Sequence, residues 1–100
     1  MSDMVSGVGT EMPRYKCHKE VWALKIAAIV FDSDLAQKEN RETDGSATIT
    51  PTEEGYAAFN VPHDYVRKHN PEVGGYYVVY KDGYKSFSPA SAFEEGYTRV

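Results

Sequence analysis

The sequence predicts an α+β domain, a small twisted antiparallel sheet or open barrel of about five short strands with two short helices. Three observations carry that prediction. Gly74–Val100 packs a hairpin, a helical turn and a last strand into one stretch, with turn residues between them. Val21–Phe31 is a mostly apolar run that fits a strand better than a helix. Pro62 and Pro89 each open a short segment with packing residues at helical spacing.

Met1–Pro13 mixes Ser, Gly and Thr without periodicity and is expected to be a mobile arm, so the single domain runs over 14–100. In Val21–Phe31 a helix would put Lys25 and Asp32 on the apolar stripe. A strand puts Trp22, Leu24, Ile26, Ala28 and Val30 on one face. Val21, Ala23, Ala27, Ile29 and Phe31 fall on the other, with Lys25 among them. A central strand covered on both faces is expected, and a buried helix is the alternative for a run so rich in alanine.

Asp32–Asp44 is polar and charged and reads as a solvated loop, in which Leu35 starts no sustained helix. Ser46–Pro51 and Tyr56–Val61 read as short strands. His63–His69 reads as a helix packing through Tyr65 and Val66 and stopped by Asn70-Pro71.

Tyr76–Lys81 is rich in residues that suit a pleated surface, and Asp82-Gly83 suits a two-residue hairpin loop. That loop pairs Val78 with Phe87 and places Tyr76, Val78, Tyr80, Lys85 and Phe87 on the core face. Ser88 is expected to cap a helix with Pro89 at its first position, Phe93 as its anchor and Gly96 as a left-handed terminator. Tyr97–Val100 closes the chain as a strand.

Net charge is −4, which disfavours binding to duplex nucleic acid and is too modest to indicate a mimic of it. Val21–Phe31 is too short to span a bilayer, so no membrane role is expected. The N-terminus shows no basic region followed by an apolar one, and one cysteine cannot form an internal disulfide; a reducing cytoplasm follows as the expectation.

Cys17, His18, His63 and His69 are the soft metal-ligand candidates. Cys17 and His18 would point to opposite faces of a strand, and His63 and His69 are six apart, so no metal and no cofactor is expected. A Cys17–His nucleophilic pair lacks a local signature, and the carboxylates at Glu53-Glu54 and Glu94-Glu95 read as solvated. Gly74-Gly75 precedes a strand rather than the helix a phosphate loop needs. No catalytic residue is assigned, and the chain reads as a non-enzyme.

The tyrosines are the most suggestive feature, with Tyr76, Tyr77, Tyr80 and Tyr84 on one hairpin. A flat ring with a polar tip suits interfaces and stacking on nucleobases, although small sheets also use tyrosine simply to cover their faces. Lys81, Lys85, Arg14 and Lys16 could bring positive charge to that surface, and Trp22 joins the same candidate set for a ligand or an interface.

Two blocks, Arg14–Ile26 (RYKCHKEVWALKI) and Gly74–Val100 with Pro71-Glu72-Val73 before it, resemble a group of small bacteriophage and prophage proteins of uncharacterised function. The matching motifs are structural, so the resemblance implies a phage origin and a bacterial host cytoplasm but carries over no site. It implies a non-enzymatic accessory protein that neutralises a host factor by binding. The factor would be a small nucleotide signal, as for a counter-defence sponge, or a host defence or metabolic protein. An open strand edge at Tyr76–Ser88 or Val21–Phe31 further suggests a homodimer or higher oligomer.

Overall fold

The computed structural model describes residues 12–16 and 20–99. In chain order they form β1 (Arg14–Lys16), β2 (Glu20–Phe31), α1 (Asp32–Glu39), β3 (Ala47–Pro51), β4 (Phe59–Val61), α2 (His63–His69), β5 (Tyr76–Tyr80), β6 (Lys85–Ser88), α3 (Ala90–Gly96) and β7 (Thr98–Arg99). The α+β class holds, and every strand pair is antiparallel. Beyond the expected elements the structure adds β1 and α1, which are short and carry little periodic signal, and β7 forms within the expected Tyr97–Val100 strand. Cys17, His18 and most of the 1–13 arm lie outside the described residues. Within that arm, Met12 packs against the core and the Pro13 carbonyl accepts the Ala23 N–H at 2.9 Å.

The expected central strand is β2. Its first half pairs with β1 on one side and β5 on the other, and its second half pairs with β3. Val21, Trp22, Ala23 and Leu24 are all buried, as a strand covered on both faces requires. Alternation then fails at a register shift between Ile26 and Ala28. One extra residue there reverses the parity of everything beyond it. Ile29 and Phe31 therefore join Trp22 and Ile26 on the larger core, while Val30 is 45 % exposed. The same irregularity lets one strand serve two sheets. The order β4-β3-β2-β5-β6 wraps into a partly open barrel.

No described strand pairing joins β4 to β6, and α2 lies across this gap. Tyr65 of α2 packs in the cluster that holds Val61 of β4, and its hydroxyl donates to the Ser86 carbonyl of β6 at 2.7 Å. The larger core contains Trp22, Ile26, Ile49, Val61, Tyr77 and Val79. A second core on the far side of β2 and β5 joins Val21, Ala23, Tyr76 and Val78 to Phe93 of α3. There Glu94 accepts from the Tyr76 hydroxyl at 2.8 Å and pairs with Lys25 at 3.1 Å, so polar contacts ring an aromatic anchor.

The hairpin departs from its expected register. Tyr77 pairs with Phe87 and Val78 with Ser86, and the loop has three residues, Lys81-Asp82-Gly83. Tyr80 exchanges backbone bonds with Tyr84 and Gly83, and the Asp82 carboxylate accepts the Tyr84 N–H at 2.9 Å. Gly83 sits at φ +91°, a conformation cheap only for glycine. The slip of one residue moves Phe87 onto the Tyr77 side and leaves Tyr76, Val78 and Tyr80 to the second core.

Asp32–Asp44 is not all loop. Asp32 and Asp34 stand in the first turn of α1, Lys38 in the last, and Asn40 closes it at φ 55° with its N–H on the Ala36 and Gln37 carbonyls. These end effects sustain a helix that buries only Ala36. Arg41 and Thr43 fold back to donate to the Asp32 carboxylate, holding it well below the usual carboxylate range. At α3, Pro89 occupies the cap position, Ser88 supplies no capping bond, and Gly96 lies inside the helix with Tyr97 leaving it extended. The strand expected over Tyr56–Val61 is limited to Phe59–Val61.

Candidate functional site

A concavity lies between β4 and β6. It is a groove of about 510 Å³ bounded by Asn60 and Val61, by Asp64, Tyr65, Lys68 and His69 of α2, and by Tyr77, Gly83, Tyr84 and Lys85 of the hairpin. Helical spacing places Asp64, Lys68 and their neighbours along one side of α2. The three-residue loop turns Tyr84 back toward His69.

Its floor is apolar, and two of the polar groups around it are bonded internally. Tyr65 donates to Ser86, and burial pushes its hydroxyl well above the usual range. The Asn60 amide donates to the Ser46 hydroxyl and the Ala47 carbonyl. Aromatic rings meet one another around it. The Tyr65 ring lies against His69 at 4.9 Å and Tyr77 at 5.6 Å between centres. The Tyr84 ring meets Tyr80 at 5.9 Å, the edge of His69 at 5.9 Å and the Lys68 ammonium at 5.2 Å. His69 also contacts the Tyr84 hydroxyl at 3.4 Å. Burial, then the Lys68 charge, lowers the His69 pKa, while a bond to the Lys85 backbone opposes the shift. Burial and that charge both favour the neutral imidazole.

Charge is left at the rim. Among the described residues neither Lys68, Lys85 nor Asp64 takes part in an ion pair. Two cations against one carboxylate give the groove a local positive balance on a chain of net charge −4.

The candidate residues from the sequence separate. Tyr77, Tyr84 and Lys85 meet at the groove, whereas Tyr76 points into the second core and Trp22 is 2 % exposed in the first. Tyr80 is half-buried beside Tyr84, and Lys81 stands at the exposed hairpin loop. Arg14 and Lys16 lie on β1, where Arg14 pairs with Glu20 at 3.2 Å. Tyr65, Lys68 and Asp64 were missed as site residues. The signal for them lay in the α2 sequence, where Tyr65 and Lys68 are three apart on a helix the sequence does predict. His63 packs instead near Gly45, where an added Cβ would strike its ring. Among the described residues no group of three or more His, Cys, Asp or Glu could hold a metal ion, and no helix is long and apolar enough to cross a membrane.

The chain is thus a small α+β domain of antiparallel strands, with a groove of apolar floor and charged rim beside α2. The chain is similar to the monomeric form of the phage L decoration protein, whose solution structure it matches with 31 % identity and a TM-score of 0.61. The match covers 89 % of this chain and spans 60 % of the length of that protein. No protein-family model matches the chain, and neither does any curated protein. The likeness agrees with a small phage protein of accessory or structural kind.

Proposed function

We propose that this domain is a phage accessory protein that binds a phage particle, in the manner of a decoration protein. One observation carries this reading: the match to the phage L decoration protein extends over nearly all of this chain, at an identity above what shared fold alone requires. The physical character of the chain supports it. The groove joins an apolar floor to a rim of Lys68, Lys85 and Asp64, which suits a domain that docks by shape and charge.

The test is sedimentation of the chain with phage L heads freed of their own decoration protein. Saturable co-sedimentation supports the reading, and recovery of all the protein in the supernatant overturns it. Neutralisation of a host protein uses the same kind of surface and is tested by capture from host lysate with and without heads as competitor. Sequestration of a host nucleotide has less support, because the likeness is to a phage decoration protein.

A further inference from the structure

We infer that the groove between β4 and β6 takes an acidic peptide segment of a partner protein, anchored by one large apolar side chain. The partner is the particle surface of the proposed function, and in that respect the inference rests on that reading.

Three properties of the groove select this occupant. The floor of Val61, Tyr65 and Tyr77 offers apolar surface, and about 510 Å³ is ample for one Leu, Met or Phe side chain with its backbone. The Tyr65 hydroxyl and the Asn60 amide are bonded internally, so the polar groups left at the groove are chiefly the charged ones of its rim. Lys68 and Lys85 stand at the rim without ion pairs among the described residues, and the surroundings of the nearby His69 favour its neutral form. An apolar anchor flanked by Asp or Glu complements both floor and rim. A nucleobase stacking on Tyr84 would compete with Tyr80 and the Lys68 ammonium, which lie 5.9 and 5.2 Å from its ring.

The test selects a random dodecapeptide library on the immobilised full chain and compares K68E/K85E, whose fold is checked by thermal melting. The expected peptides carry Asp or Glu on both sides of one large apolar residue. They shift the amide signals of Tyr65, Lys68, Tyr84 and Lys85, and bind the double variant about tenfold or more weakly. Peptides without acidic bias, or equal binding to the double variant, overturn the inference, as does AMP shifting the same four signals. If peptide selection fails while heads are still bound, the groove assignment falls and the particle reading stands. If acidic peptides bind but heads do not, the particle reading falls and the groove chemistry stands.

Discussion

The Tyr65 hydroxyl donates to the Ser86 carbonyl at 2.7 Å, and this bond ties α2 to β6 across the open seam of the barrel. It holds one wall of the groove against the other. Tyr65→Phe removes the donor and leaves a half-buried carbonyl without it, so a loss of about 1–2 kcal/mol is expected in urea unfolding. An unchanged midpoint would mean that α2 is held by ring packing alone.

Gly83 sits at φ +91° with nothing within 4 Å of where its Cβ would be. Gly83→Val therefore strains the backbone without a clash, and a loss of about 1–2 kcal/mol is expected. Unchanged melting would place the hairpin turn elsewhere.

Phe93 is 1 % exposed and stacks on Tyr76 at 4.2 Å and Tyr97 at 4.5 Å. Phe93→Ala leaves a cavity in the second core, with an expected loss of about 3–5 kcal/mol. Circular dichroism with denaturant measures it, and a loss below 1 kcal/mol, roughly that of an exposed site, would show that α3 is not anchored there.

His69 is expected to titrate below its ordinary value of 6.5. Burial is the larger cause and the Lys68 charge the next, so Lys68→Gln should raise the midpoint without restoring it fully. The folded state then binds fewer protons than the unfolded state as pH falls through 6.5. The stability contribution of His69 is present above that pH and is lost as pH falls toward the folded midpoint. Imidazole proton shifts in an NMR titration check both statements, and a midpoint above 6.5 would contradict them.

Much of the fold is legible in the residues because local chemistry decides it. His63–His69 lies between Pro62 and Asn70-Pro71 and forms the helix those residues imply. Val21–Phe31 is apolar on both faces, which favours a central strand over the buried helix its alanines also allow, and β2 is that strand. What fails is what depends on parity. A bulge near Ala27 reverses which of Val30 and Phe31 is buried, and one extra loop residue exchanges the partners of Val78 and Phe87. Neither leaves a mark that composition can show. α1 escapes notice because it buries little beyond Ala36 and owes its existence to charges and a left-handed Asn40. The site is half legible. Tyr84 and Lys85 are conspicuous in the hairpin, but pairing them with Tyr65 and Lys68 requires knowing that α2 crosses the seam.

The particle-binding account is tested most directly by imaging phage L heads, stripped of their decoration protein and incubated with a saturating excess of this chain, by electron cryomicroscopy. The account predicts ordered extra density on the outer surface, sized for an 11.2 kDa domain and recurring at equivalent positions. A reconstruction indistinguishable from bare heads would contradict it.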